Sequence, residues 1–230
     1  MKNPSLLRYT AVALCLTASS QAYADVSGTV TLVSDYLFNG VTQTDEKPAL
    51  QGSLDWSNKY GVYAGVWGSN VDFNDGTDME VDYYVGYAGN ISSATWYDVG
   101  FVYYSYLGDD DSSDINYSEI YFQLGYQDTS VKVWYADDYA GTDAKHYVIA
   151  LMHTLPIRDN LSIDFQIDRS KSLNDDKFTW EGNDDSYFHW KAIGQYSWND
   201  VNFGLGVEGT DLDTYGETRV IATVSYTFNF

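Results

Sequence analysis

Apolar and polar side chains alternate along most of the chain after residue 25. In residues 219–230 every even position from Val220 to Phe230 is apolar, and the odd positions are polar apart from Ile221. A period of two is typical of a β-strand with one apolar face. The same alternation recurs between turn residues, and we predict twelve strands, at residues 26–38, 49–57, 61–73, 79–88, 95–106, 117–126, 131–136, 145–155, 161–170, 187–196, 201–210 and 219–230.

The connections between the predicted strands alternate in length. Those after even-numbered strands are tight, such as residues 58–60 and 127–130, whereas those after odd-numbered strands are mostly longer and more acidic, such as residues 39–48 and 171–186. A barrel that crosses a membrane has short turns on one side and longer loops on the other, whereas a Greek-key sandwich has no reason to alternate in this way. We therefore predict an all-β fold, an antiparallel up-and-down transmembrane β-barrel of about 12 strands.

Some assignments within this pattern stay open. Three of the predicted segments are weakly patterned, so about ten to fourteen strands remain compatible with the sequence. In residues 61–73, Val62 competes with Tyr63 and Trp67 for the lipid-facing side. In residues 26–38 we place Tyr36 and Phe38 on the lipid-facing side. Aromatic residues near strand ends fit the aromatic girdles of a barrel, for example Trp56, Tyr60, Tyr126, Trp198 and Phe230.

The N-terminus resembles a secretory signal peptide. Residues 1–24 carry Lys2 and Arg8, then an apolar run and an A-Y-A sequence, so we expect cleavage after Ala24 and a single barrel domain at residues 25–230. Cys15 lies in the predicted signal, so the mature chain would have no disulfide and no cysteine metal site. Its loss changes the formal net charge from −21 to −23, which makes nucleic acid an unlikely partner.

The polar faces of the predicted strands supply candidate pore-lining side chains. More of them are acidic than basic, which predicts a narrow passage that favours small cations or neutral molecules. The alternative is a plugged barrel in which acids and bases pair, with a structural or surface-interaction role for its acidic loops. The candidates are Asp35, Asp55, Glu80, Asp82, Asp98, Glu119, Lys132, Asp164, Asp168, Lys191, Glu208 and Arg219.

Catalysis and metal binding have weaker support. The histidines His146, His153 and His189 occur in no hydrolase motif that places a serine or carboxylate beside them. The loop acids at residues 109–111 lack the ligand spacing of a known calcium loop, so we interpret them as solvated surface rather than a Ca²⁺ site. We expect no enzyme activity, no cofactor and no metal.

The last strand resembles the C-terminal signal of bacterial outer-membrane barrels. Its alternate residues Tyr226, Phe228 and Phe230 would be recognised by the barrel-assembly machinery. The resemblance implies a Gram-negative protein that is exported through its signal peptide to the cell outer membrane. Its expected partners are outer-membrane lipid, the assembly machinery and small solutes, and homo-oligomer formation is left open.

Residues 34–44, S-D-Y-L-F-N-G-V-T-Q-T, resemble the signature S-D-Y-x-[FY]-R-G-x-[ST]-Q-T of a proteobacterial family, described as TorF-family porins or the Gcw_chp domain. Residues 48–52, 61–70 and 80–87 continue the match. The resemblance implies an outer-membrane barrel with a porin-like role, and it supplies no substrate. It also implies a turn at Gly40 into the first loop, with Asp35 directed inward near the mouth, although a purely structural strand-end motif would look the same. Asn39 replaces the expected arginine, which leaves solute preference open.

Overall fold

Antiparallel strands of alternating polarity close into a barrel in the computed structural model, which describes residues 25–182, 184–214 and 216–230. The predicted signal peptide lies outside these residues. Two short strands, β2 and β3, form a separate hairpin, and the other twelve strands form the barrel. The strands are β1 (Asp25–Val33), β2 (Leu37–Phe38), β3 (Val41–Thr42), β4 (Ala49–Ser57), β5 (Val62–Asn70), β6 (Met79–Asn90), β7 (Thr95–Leu107), β8 (Tyr117–Tyr126), β9 (Thr129–Ala136), β10 (His146–Arg158), β11 (Leu161–Ser172), β12 (Ser186–Trp198), β13 (Val201–Thr210) and β14 (Arg219–Asn229).

The predicted fold class is confirmed, and the barrel closes through its first and last strands. Strand β1 pairs with β14, and the hydroxyls of Thr29 and Thr227 lie 3.0 Å apart across this seam. Gly28 faces Phe228 in the same register, and a Cβ on Gly28 would lie 2.5 Å from the Phe228 ring. Closure leaves the barrel sheet without a free edge, so no strand is exposed to pairing with another chain.

The barrel has an apolar outer face and a polar inner face, which is the reverse of the arrangement in a soluble protein. Outward-facing apolar residues are exposed, with Leu205 at 64% and Val220 at 69% of their full accessibility. Inward-facing Glu80 and Glu119 are 0% and 2% accessible. An apolar exterior and a polar interior are what a barrel surrounded by lipid requires. The aromatic residues assigned to the girdles are exposed on the outside, namely Trp56, Tyr60, Tyr126, Trp198 and Phe230.

The prediction that the first strand extends to Phe38 with Tyr36 facing lipid is wrong. The strand ends at Val33, and the chain then turns into the barrel, where Tyr36 packs on Val33, Ala49 and Ile221. The period of two continues through these residues, but Ser34 already leaves the barrel ladder and makes the last backbone bond to β14, at Ala222. Alternation alone therefore could not show where the strand stops.

The ambiguity in the third predicted strand is resolved by packing. Tyr63 is 1% accessible and faces the interior, as does Trp67, which contacts Tyr36 edge-to-face at 5.4 Å. Val62 faces outward. Besides strands, two short 3-10 turns occur in the loops, at Ser112–Ile115 and Tyr139–Gly141. In the described part of the chain, no helix has the length and apolarity needed to cross a membrane.

Candidate functional site in the barrel interior

The signature segment that follows β1 folds as an internal hairpin. Oδ1 of Asp35 accepts hydrogen bonds from the hydroxyls of Thr42, at 2.6 Å, and Thr44, at 3.1 Å. The Thr44 hydroxyl also accepts the backbone N–H of Tyr36, at 3.1 Å. Burial raises the pKa of the Asp35 carboxyl above its ordinary value, and the two threonine hydroxyls offset part of that increase. These bonds close the base of the β2–β3 hairpin.

The tip of the hairpin contacts side chains of β7 and of the β12–β13 wall. The Phe38 ring packs edge-to-face on Tyr104 of β7, with centroids 5.9 Å apart. The hydroxyl of Tyr187 on β12 donates to the backbone carbonyl of Asn39 at 3.0 Å. A Cβ on Gly40 would lie 2.5 Å from Thr210 and 2.6 Å from the His189 ring. The hairpin thus narrows the interior between β1 and the β12–β13 wall.

Charged residues at the rim hold the chain segment that follows the hairpin. Arg219 of β14 donates to Glu46 at 2.8 Å, and Lys47 donates to Asp72 at 2.7 Å. The hydrogen bond from Lys47 lowers the pKa of Asp72. Both contacts are partly exposed, so each adds little free energy by itself.

A group of buried carboxylates lies on β6 and β8. Tyr106 donates to Oε1 of Glu80 at 3.2 Å, and Tyr104 donates to Oε2 of Glu119 at 2.9 Å. The other oxygen of each carboxylate, Oε2 of Glu80 and Oε1 of Glu119, has no hydrogen-bond partner among the described residues, and neither does Oδ1 of Asp82. Three acidic side chains are therefore concentrated at one level of the interior, and protein groups satisfy their oxygens only in part.

Tyrosines cover the wall formed by β4 to β8. The Tyr63 hydroxyl donates to Asp98 at 2.5 Å and also contacts the Tyr121 hydroxyl, while Tyr84 bonds to Asp55. Each of these three rings lies over an inward-facing glycine on the neighbouring strand, where a Cβ would clash. Tyr63 lies over Gly86, Tyr84 over Gly65 and Tyr121 over Gly100. Lys132 of β9 completes the group, with its ammonium 3.8 Å from the centre of the Tyr121 ring.

On the opposite wall a histidine bridges two acids. Nδ1 of His189 lies 2.7 Å from Asp168, and Nε2 lies 3.1 Å from Glu208. Only an imidazolium can donate to both carboxylates at once. His146 lies nearby on β10, with Nε2 2.8 Å from the Ser170 hydroxyl. The sequence motifs did not anticipate either pairing, because each joins residues of neighbouring strands that are far apart in sequence.

Neither histidine forms a complete triad in the described chain. Nδ1 of His146 has no hydrogen-bond partner among the described residues, so no carboxylate orients this imidazole toward Ser170. His153 faces outward and contacts Thr129 at 2.9 Å. Within the described residues, no group of three or more histidine, cysteine, aspartate or glutamate side chains is arranged to hold a metal ion.

Aromatic side chains fill the loop end of the interior. They surround a cavity of about 120 Å³ between the β2–β3 hairpin and the loops above it. Gln43 is the polar, non-aromatic side chain among the described residues that line it. The rings lining it are Phe38, Phe73, Tyr106, Tyr117, Tyr139 and Trp180.

All twelve side chains proposed from the sequence as pore-lining occupy inward-facing positions or the inward hairpin. Asp35 lies in the hairpin, and Arg219 lies at the rim beside it. Lys191 pairs in register with Glu208, and Asp164 accepts from Thr154 at 2.7 Å. Whether they line a conducting pore stays a prediction. The sequence interpretation missed the inner tyrosines, although their position on the polar face of each strand was a usable signal.

The closed twelve-stranded antiparallel barrel is a fold that solved structures described as porins share. A structure described as "KdgM porin" matches with a TM-score of 0.58 and 12% sequence identity over 89% of this chain and 99% of that chain. A structure described as "NanC porin" matches with a TM-score of 0.56 and 13% identity over 90% of this chain and 100% of that chain.

Sequence comparison gives the family. Residues 17–228 match the family described as "Bacterial protein of unknown function (Gcw_chp)", and the chain belongs to that family. Among curated proteins, none matches the sequence. The resemblance of residues 34–44 to the Gcw_chp family is therefore confirmed. The structure shows that this segment forms the internal hairpin.

Proposed function

We propose that the protein is a porin-like channel of the bacterial outer membrane through which small cations and neutral solutes diffuse. The charge of the inner wall carries the proposal. Of the twelve pore-lining candidates named from the sequence, nine are aspartate or glutamate and three are lysine or arginine. Fixed carboxylates in a narrow passage attract cations and repel anions, and they admit uncharged solutes of suitable size.

This preference differs from what one structural neighbour suggests. A second structure of the KdgM porin is described as a complex with disordered oligogalacturonate, which is a polyanion. The interior carboxylates of Glu80, Asp82 and Glu119 would repel such a solute because few cations lie near them. We therefore infer that this chain shares the fold of that porin and not its solute class.

The cellular setting belongs to the same proposal. A segment such as residues 1–24 would direct export, the assembly machinery would recognise Tyr226, Phe228 and Phe230, and lipid would surround the exposed apolar exterior. A porin role also fits the narrower TorF-type description of the signature at residues 34–44. Self-association and a Gram-negative source are part of the expectation and rest on the sequence.

One observation favours a second candidate function. The hairpin and the aromatic side chains occupy the loop end of the interior, and Phe38 contacts Tyr104 in the middle of that packing. A barrel closed in this way could serve as a structural or surface-interaction protein whose acidic loops bind partners. Proteoliposome swelling separates the two functions, because only a channel admits small neutral sugars.

Single-channel recording tests the proposed selectivity. Under a tenfold KCl gradient, we expect a reversal potential of the sign given by K⁺ permeation. Combined replacement of Glu80→Gln, Asp82→Asn and Glu119→Gln should move this potential toward zero because it removes interior charge. Asp159→Asn, in the exposed turn after β10, is the matched control and should leave it unchanged. Chloride preference, or no conductance steps from correctly folded protein, would refute the proposal.

A further inference from the structure

The cavity at the loop end of the barrel is surrounded by aromatic rings that are inclined to one another. Phe73 and Tyr106 are tilted by 51° with centroids 5.7 Å apart. Tyr139 is inclined by 68° to Tyr117 and by 58° to Trp180. These rings come from strands β7 and β8, a 3-10 turn and two separate loops, so the fold rather than local sequence assembles them.

Aromatic faces are electron-rich, and a cation within about 6 Å of a ring centre is attracted to them. The described lining of the cavity contains no acidic or basic side chain. A bare metal ion would therefore lose its hydration shell without gaining oxygen ligands from a carboxylate. An ammonium group covered by methyl groups has little hydration to lose, and it presents diffuse positive charge to every ring.

The charge below the cavity matches such a ligand. Tyr106, which lines the cavity, donates to Glu80, and Tyr117, another lining residue, stacks at 4.5 Å on Tyr104, which donates to Glu119. Both carboxylates are more than nine-tenths buried, and each keeps one oxygen without a described hydrogen-bond partner. Negative charge on either group would attract a cation in the cavity, because a buried charge is only weakly screened. An anion would be repelled there, and an uncharged molecule would gain nothing from the carboxylates.

We propose that this cavity binds the quaternary or methylated ammonium group of a small organic cation, as the outer binding site of the channel. This substrate class rests on the cation-preferring channel proposed above. The buried carboxylates lie directly beyond the rings, so a bound cation would pass from the aromatic cavity to the carboxylate level of the interior.

Calorimetry on the full barrel in detergent tests the proposed site with choline as the probe. Its uncharged carbon isostere, 3,3-dimethylbutan-1-ol, has the same shape and lacks the positive charge. We expect choline to bind at least about tenfold more tightly than the isostere, since the ring faces and carboxylates act on charge. Equal affinities would show an ordinary apolar pocket and overturn the proposal, as would an absence of choline binding.

Two matched variants locate the binding. Phe73→Leu keeps apolar bulk and removes one ring face, so choline affinity should fall roughly tenfold while isostere affinity changes little. Phe178→Leu is the control, because the Phe178 ring packs on Tyr139 and Trp180 without lining the cavity. Heat-modifiable gel migration verifies that both variants form barrels. Unchanged choline affinity in Phe73→Leu would place the ligand elsewhere and overturn the proposal.

The same preparations distinguish this proposal from the channel function. Cation-selective current without choline binding would refute the aromatic site and leave the channel function in place. Choline binding without any cation-selective current would refute the channel function, and the cavity would then be a receptor-like site on a closed barrel.

Discussion

The hydroxyl of Tyr63 on β5 donates a hydrogen bond of 2.5 Å to Oδ1 of Asp98 on β7, across the strand that separates them. The ring reaches over Gly86 of β6, where a Cβ would lie 2.2 Å from the Tyr63 hydroxyl. Since Tyr63 is buried, its ring has no free space to move into. The contact therefore depends on the absence of a side chain at Gly86.

We predict that Gly86→Ala destabilises the barrel by about 1–3 kcal/mol, because the added methyl group overpacks the inner wall. Gly52→Ala is a suitable control, since the nearest atom to its Cβ, the Thr29 carbonyl oxygen, would be 3.7 Å away. Equilibrium unfolding in urea, followed by gel migration and tryptophan fluorescence, measures the difference. Equal stability of the two variants would mean that the Tyr63 contact is not constrained in this way.

Gly40 offers a way to displace the internal hairpin. Its φ is +82°, and a Cβ would clash with Thr210 and His189, so we expect Gly40→Ala to push the tip away from the β12–β13 wall and increase single-channel conductance. The left-handed backbone alone costs a non-glycine residue about 1–3 kcal/mol. Gly182→Ala controls for that cost, because Gly182 also has positive φ, +60°, and no atom of the described residues lies within 4 Å of a Cβ built there. A similar conductance change in both variants would exclude the steric explanation.

The hairpin should also respond to pH through Asp35. When the hairpin lies inside the barrel (the seated form), burial raises the pKa of this carboxyl. If the hairpin moved out of the barrel, the pKa of Asp35 would return toward its ordinary value. The seated form therefore binds the proton more tightly, and its stability is greatest below the ordinary carboxyl pKa and decreases as pH rises through the raised pKa. Conductance should consequently increase with pH across the mildly acidic range.

Asp35→Asn should remove this pH dependence, because the amide stays uncharged at every pH and resembles the protonated acid. Asp159→Asn is the comparison, since Asp159 lies in the exposed turn after β10 and not in the hairpin segment. Recording conductance between acidic and neutral pH checks both variants. A wild-type profile retained in Asp35→Asn would assign the response to another group.

The C-terminal residue should affect assembly more than permeation. Phe230 is exposed, its N–H donates to the Val26 carbonyl at 3.0 Å, and its ring packs edge-to-face on Phe228 at 5.4 Å. We expect Phe230→Ala to lower the yield of assembled barrel while the conductance of the assembled fraction stays unchanged. Tyr126→Ala, another exposed aromatic residue at the turn end, is the control. Heat-modifiable gel migration reports the yield, and an unchanged yield would contradict a role in assembly.

The strands were predictable because two independent signals agreed. Alternation set the faces, turn residues set the ends, and the predicted bounds 49–57, 117–126 and 201–210 coincide with β4, β8 and β13. The hairpin was not predictable in this way, since Tyr36 and Phe38 continue the alternation of β1 after the chain has left the sheet. What separates them from lipid-facing residues is contact with other strands, and one sequence does not contain that information.

In the interior too, the sequence predicted which way side chains face but not which side chains they contact. Parity placed the charged residues on the inward face, but the partners of each side chain depend on the stagger between neighbouring strands. His189 meets Asp168 and Glu208 because β11, β12 and β13 bring them to one level. The inner tyrosines were overlooked for a different reason. An aromatic residue on the polar face of a strand looks like an exception to the alternation, and only the structure shows that each ring packs over a glycine of the neighbouring strand.

The contacts that hold the hairpin inside the barrel have a consequence for the order of folding. The bonds of Asp35 to Thr42 and Thr44 are local in sequence, so they can form before the later strands are in place. The residues that contact the hairpin tip and Glu46 belong to β12, β13 and β14, at the other end of the sequence. The full set of hairpin contacts can therefore form only after the last strands are in place, so final positioning of the hairpin is a late step in folding.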